Sequence, residues 1–157
     1  MDHLVARGLR CVAVLDVSPA ALARARARLG PQADRVQWIE ADVTAPWTMS
    51  PMHIWHDRAV FHFLTEVEDR ARYVAHVRDV VTAGGTVIIG TFAPDGPERC
   101  SGLPVRRYDA AGIGAELGEG FILVEALADA HRTPTSAVQS FIYGRFVRGD
   151  LLSDSHD

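Results

Sequence analysis

The chain has 157 residues, 48% of them hydrophobic and 23% charged, with 16 basic against 20 acidic side chains and a formal charge of -4. That length accommodates one domain with a sizeable core, and the charge balance argues against a nucleic-acid surface, which shows as a basic face or a high pI. No apolar run nears the roughly 20 residues that cross a bilayer, and the N-terminus has no signal-type apolar segment, so a cytoplasmic protein is expected, with neither nucleic acid nor membrane as partner.

Residues 2–7 (DHLVAR) read as the last turns of a helix that Gly8 stops. Cys11 to Leu15 is a continuous apolar run, as in a strand covered on both faces, and Asp16 ends it. Ser18 is placed to cap the next helix and Pro19 to open it. Leu22, Ala25 and Leu29 then recur at helical spacing until Gly30-Pro31. Arg35 to Glu40 alternates as a second strand, and Met52 to His56 is a short third one. Thr65 and Glu68 have the spacing of a capping box. They open a helix whose apolar stripe is Val67, Val74, Val77 and Val81, and Gly84-Gly85 end it.

Thr86 to Phe92 is a fourth strand with buried character. Residues 93–108 hold three prolines and two glycines and read as a long loop, of a length that is often functional. Asp109 caps a short helix through Leu117. Phe121 to Leu127 and Val138 to Val147 are two strands joined by a polar connection, and the residues from Gly149 form a frayed polar tail. Two cysteines, Cys11 and Cys100, are expected as free thiols. The alternation of strands and helices predicts an α/β fold, with a mostly parallel sheet, helices on both faces and a closing antiparallel strand pair.

Ligands of open parallel sheets bind at the carboxyl ends of the strands, which selects Asp16, Asp42 and His56-Asp57-Arg58. Asp16 would accept hydrogen bonds from both hydroxyls of a ribose, or equally cap the helix behind it. Asp42 would hold an adenine amino group with Val43 lining the ring, or serve as a turn residue. The pair stands 26 positions apart at consecutive strand ends, which matches one adenosine lying across two loops.

WHDRAVFHFL, residues 55–64, is the most distinctive stretch. His56, Asp57 and Arg58 leave the strand where a reactive atom and a substrate would meet; alternatively Asp57 and Arg58 pair with each other. His62 follows His56 by six positions, neither a helical pair nor a usual metal spacing, and no other Cys/His/Asp cluster supports a metal site. His131 and Arg106-Arg107 would help bind an anionic substrate, or remain solvated loop charges.

Taken together, these stretches resemble the class I S-adenosylmethionine-dependent methyltransferases, a Rossmann-like family with strand order 3-2-1-4-5-7-6. VLDVSPAALARARARL resembles the segment after the family's glycine motif, EADVT its adenine motif, WHDRAVFHFL its fourth motif, and TAGGTVIIGTF its fifth strand. The resemblance spans about residues 3–148, and residues 1–148 are expected to form a single, N-terminally incomplete domain followed by a tail at 149–157.

The resemblance implies S-adenosylmethionine as cofactor, with Asp16 at the ribose, Asp42 and Val43 at the adenine, and Val17, Asp57 and Arg58 completing the cofactor-binding set. It implies methyl transfer to a small molecule or a protein side chain, with a base drawn from His56, Asp57 or His62. Two departures stand out. The family's first strand and GxGxG loop have no counterpart, and His53 stands where an Asp often begins the fourth strand. Without that first strand, the strands starting at Cys11 and Met52 pair with each other or expose edges. Impaired transfer and a homo-oligomer formed through exposed sheet edges are therefore expected. An inactive remnant serving as an oligomeric interaction or regulatory protein is the alternative. A nicotinamide-dependent oxidoreductase also uses an acid after its second strand, but the closing strand pair and WHDRAVFHFL oppose it.

Overall fold

A computed structural model describes residues 2–9, 12–133 and 138–149. They divide into two compact units, Met1–Thr48 and Met49–Asp157. Cys11 and the tail beyond Gly149 lie outside the described residues.

In the first unit, helix α1 (Asp2–Ala6) stops at Gly8, whose φ of 79° is the left-handed geometry that glycine adopts freely and whose N–H bonds the Val5 carbonyl at 3.0 Å. Strand β1 (Val12–Asp16) pairs in parallel with β2 (Val36–Glu40), from Val12 opposite Val36 to Asp16 opposite Glu40. Helix α2 (Pro19–Leu29) crosses between them, with Ser18 accepting the Ala21 N–H at 3.2 Å and Pro19 in the first turn, as the sequence predicts. A 3-10 turn over Gly30–Arg35 follows, which apolar periodicity does not show. Trp38 reaches back to this turn, its indole N–H donating to the Ala33 carbonyl at 3.0 Å, and packs with Val14 and Leu29 against buried Val5, Val12 and Val36.

The second unit is built on a sheet of order β3-β4-β8-β7. Strand β3 (Met52–Arg58) runs parallel to β4 (Val81–Phe92), which pairs antiparallel with β8 (Val138–Arg148), and β8 pairs antiparallel with β7 (Phe121–Arg132). The closing pair is thus antiparallel, as expected from the absence of a helix between its members. Helix α3 (Val67–Val80) joins β3 to β4, and α4 (Ala110–Leu117), capped by Asp109, precedes β7. Arg78 of α3 donates to the Leu117 and Glu119 carbonyls, both at 2.7 Å, and so satisfies the free carbonyls at the end of α4. Gly90 of β4 lies under the Tyr143 ring, where a Cβ would come within 2.4 Å of the ring. Val77, Val87, Ile89, Ile113, Leu117 and Phe146 are all fully buried in this unit.

Four local expectations change. The capping box does not form: Glu66 is the N-cap of α3 without a side-chain bond, and the Thr65 hydroxyl turns to the Glu66 carboxylate at 3.3 Å. Helix α3 ends at Val80 rather than at Gly84-Gly85, and β4 begins at once, with a register irregularity opposite Met52 to Ile54. Arg148 stabilises this abrupt junction by donating to the Arg78 and Val81 carbonyls. The 93–108 segment contains a small ladder, β5 (Arg99–Cys100) with β6 (Leu103–Pro104), turned by Ser101 and Gly102 at positive φ. The last two strands extend past their predicted limits, so His131 lies in β7, paired with Gln139, instead of in a loop.

Strand β1 has β2 as its single strand neighbour and β3 has β4, so each is an edge of its own sheet among the described residues.

Candidate active site

The parallel pairing of the first unit brings two carboxylates to neighbouring strand ends. The Ala41 N–H donates to the Asp16 carbonyl at 3.2 Å, pinning the chain that leaves β2 to the end of β1. Asp16 Oδ1 accepts the Ser18 N–H at 2.8 Å, while Oδ2 has no protein donor among the described residues. Beside it Val17 is 69% exposed, an apolar surface at the lip of the strand. Asp42 is exposed, and its Oδ1 accepts both the Thr44 N–H and the Thr44 hydroxyl at 2.8 Å, an Asx turn that fixes the loop. Val43 is buried, and its carbonyl accepts the Trp47 indole N–H at 3.2 Å. A separate cleft of about 170 Å³ in this unit lies between α2 and β2, lined by Leu22, Arg26, Trp38 and Glu40, and touches neither aspartate.

A nucleoside fits this arrangement. Asp16 retains a carboxylate oxygen with two lone pairs for vicinal hydroxyls, Val17 supplies apolar contact, and the 42–44 turn is held rigid by its own side chains.

In the second unit, His56, Asp57 and Arg58 do not leave the strand; they are its last three residues, paired with Ile88, Ile89 and Gly90. Alternation along the strand sends Asp57 into the core, 6% exposed, and leaves His56 and Arg58 exposed. Asp57 is saturated. Oδ1 accepts the Val60 N–H at 3.0 Å, and Oδ2 accepts the Phe61 N–H at 3.1 Å and the Tyr73 hydroxyl at 2.7 Å. Tyr73 in turn accepts the Trp55 indole N–H at 2.9 Å. Burial raises the Asp57 pKa, and these three donors oppose the rise. Asp57 and Arg58 do not pair; the Arg58 guanidinium lies 5.5 Å from the Phe141 ring centroid.

The Asp57 bonds shape a tight exit from β3, in which Ala59 holds a φ of 62° and its N–H donates to the Gly90 carbonyl at 2.8 Å. This turn delivers His62 to the interior, fully buried between Phe63 and Phe92. Its Nδ1 accepts the Phe92 N–H at 3.4 Å, so the proton of the neutral ring sits on Nε2, which has no partner among the described residues. Desolvation lowers its pKa to about 4. His56 is also lowered, chiefly by partial desolvation, with the positive charge of Arg58 adding to it. No group of three His, Cys, Asp or Glu among the described residues is placed to hold a metal ion.

Tyr73 and Trp55 are the partners that the sequence reading misses. The buried face of α3 is Arg70, Tyr73, Val77 and Val80, whereas Val67 is 65% exposed. A stripe chosen by aliphatic character alone passes over the arginine and the tyrosine, although their spacing of three, four and three is helical. Arg70 is buried because its guanidinium donates to the Leu64 carbonyl at 3.0 Å and the Thr65 carbonyl at 2.8 Å.

The fold recurs in solved structures. The N-methyltransferase NodS of Bradyrhizobium japonicum in complex with S-adenosylhomocysteine is similar with a TM-score of 0.73 at 18% identity, over 94% of this chain and 70% of that one. The 1,6-didemethyltoxoflavin-N1-methyltransferase of Burkholderia thailandensis, solved with 1,6-didemethyltoxoflavin and S-adenosylhomocysteine, gives 0.72 at 18% identity over 94% and 65%. An S-adenosylmethionine-dependent methyltransferase of Clostridium acetobutylicum gives 0.72 at 11% identity over 94% and 78%. No curated protein matches the chain. The sequence profile of the methyltransferase domain matches residues 1–89, more than half of the chain. The chain belongs to that family, the class I S-adenosylmethionine-dependent methyltransferases.

Proposed function

We propose that the first unit holds the nucleoside of S-adenosylmethionine, with Asp16 on the ribose hydroxyls, Val17 and Val43 against the adenine, and Asp42 on its amino group. The observation that carries this is that Asp16 ends β1 opposite Glu40, the last residue of the adjacent parallel strand, with Asp42 two residues further on and the Ala41 N–H between them bonded to the Asp16 carbonyl. The methyl acceptor is a small molecule or a protein side chain. When bound, the sulfonium supplies an activated methyl group: the S–CH3 bond breaks as the acceptor–CH3 bond forms in line, and the bonding pair leaves with sulfur.

The roles of the second unit's residues divide by exposure. His56 is accessible and, with its lowered pKa, neutral at pH 7, so it takes the acceptor's proton where the acceptor needs deprotonation. Asp57 acts through the backbone, holding the 59–61 turn with both oxygens and acting as a positioning residue rather than as a base or a cofactor ligand. His62 presents a donor and packs the turn, because its basic nitrogen is already engaged. Arg58 remains available to a negatively charged group at the end of β3.

Strand β3 offers an unpaired edge with Ile54 56% exposed, which favours self-association of this chain in solution.

The test is an amide NMR titration with S-adenosylhomocysteine, which reads weak binding residue by residue. The reading expects signals of Asp16, Val17, Asp42 and Val43 to move and NADH to leave them in place. A response to NADH at the same residues, or none to S-adenosylhomocysteine, would overturn it.

A further inference from the structure

A cavity in the second unit lies where the 93–108 segment returns to the sheet. It is open to solvent, has a volume of about 470 Å³, and is lined by the 106–109 stretch together with Pro94, Gly112, Ala115 and Glu116. That volume suits a small molecule. Two backbone bonds fix its wall: the Arg106 N–H donates to the carbonyl of His62, in the turn after β3, at 2.8 Å, and the Tyr108 N–H to the carbonyl of Phe92, the last residue of β4, at 3.0 Å. The cavity therefore opens at the strand-end side of the sheet and shares a hydrogen bond with the turn that Asp57 shapes.

Its cations are arranged unequally. One oxygen, Glu116 Oε1, serves three partners: Arg70 Nε at 3.0 Å, the Tyr108 hydroxyl at 3.4 Å and Arg106 Nη2 at 3.5 Å. Arg70 is buried and holds the carboxylate closest, which leaves Arg106, with a side chain 47% exposed, the least satisfied of the three. The Arg106 guanidinium is nonetheless oriented, 5.4 Å from the centroid of the buried Tyr108 ring. Arg107 beside it bonds the Gly96 carbonyl and Glu98, both at 3.2 Å, but Glu98 is 78% exposed and its pairing competes with water. Asp109 also faces the cavity, with Oδ1 committed to the Gly112 N–H at 2.6 Å. Three carboxylates thus answer three guanidiniums, and the site selects through the short-range geometry of a pre-set guanidinium fork rather than by long-range attraction.

We propose that this cavity is the acceptor subsite and that the acceptor is a small molecule bearing a carboxylate, which Arg106 takes through its free N–H donors, with Arg107 alongside. A planar carboxylate matches one guanidinium by two parallel hydrogen bonds. Pro94, Gly112 and Ala115 form a smooth floor for the rest of the molecule. The proposal rests on the methyltransferase reading for the word acceptor, while the binding event itself lies within the second unit.

The test is an amide NMR titration of the whole chain with benzoate, with benzamide as its uncharged counterpart and with inorganic phosphate. Benzoate is expected to move the signals of residues 106–112 and benzamide to leave them. Arg106→Gln should weaken the benzoate response about tenfold, the usual scale for a charge-assisted pair. Ala115→Leu, at an exposed helical position, should block the floor with Arg106 intact. An equal response to benzamide, a stronger one to phosphate, or an unchanged affinity in both variants would overturn the proposal. S-adenosylhomocysteine titrated into the same samples reads the cofactor site separately, so either response can fail while the other stands.

Discussion

Asp16 and Asp57 are both aspartates at the carboxyl end of a parallel strand, yet they stand in opposite environments. Asp16 ends a strand of the first unit, keeps one oxygen free and has an exposed valine beside it. Asp57 lies in the core of the second unit and spends both oxygens on two amides and a tyrosine. A position at a strand end nominates a ligand-binding acid, but the direction in which the pleat turns the side chain decides whether it meets solvent or scaffold. The comparison predicts that Asp16 matters to binding and hardly to stability, and that Asp57 does the reverse.

The largest effect is expected at Asp57. Asp57→Ala leaves two amides and a phenol buried without an acceptor and should cost about 3–4 kcal/mol, read as a lower urea midpoint at unchanged slope. A loss below about 1 kcal/mol would mean that water replaces the carboxylate and that the buried network is not what holds the turn.

The next effect concerns His62 and acid. Its folded pKa of about 4 lies below the ordinary 6.5, so the unfolded chain takes up the proton first as pH falls. Stability is therefore complete above pH 6.5 and declines toward pH 4. Between pH 6.5 and 5 the loss is about 1.6 kcal/mol. Asp57, raised by burial, acts in the opposite sense. The difference between the pH dependence of the wild type and that of His62→Phe isolates the histidine, and equal slopes would refute the assignment.

Tyr73→Phe removes one of the three donors to Asp57 and the hydroxyl that accepts from the Trp55 indole N–H, for about 1–2 kcal/mol. The smallest stability effect belongs to Asp16→Asn, within about 0.5 kcal/mol. A larger loss there would make Asp16 a helix-capping residue first.

Much of the architecture was readable because it follows from local rules. Ser18-Pro19 and Asp109 cap helices where their chemistry requires, Gly8 stops a helix, and two strands without an intervening helix pair antiparallel. The placement of Asp16 beside the exit of β2 was readable for the same reason, since parallel register alone sets it. The second unit resisted because its contacts are distant in sequence. The Tyr73–Asp57 bond spans 16 positions and the Arg78 cap of α4 spans 39. Neither Arg70 nor Tyr73 looks like core until its partners are known. The abrupt end of α3 at Val80 depends on Arg148, 67 positions beyond Val81, so Gly84-Gly85 drew the boundary too late.

In the proposed division of labour the first unit's carboxylates hold a nucleoside while the second unit's Asp57 holds the fold. One paired measurement reaches it directly: amide NMR titration of S-adenosylhomocysteine into wild type and Asp16→Asn, with the urea midpoint of each recorded on the same preparation. Asp16→Asn is expected to abolish the movement of the Val17 and Val43 signals and to keep the wild-type midpoint. Wild-type movement of those signals in Asp16→Asn, or their loss only together with a lowered midpoint, would contradict it.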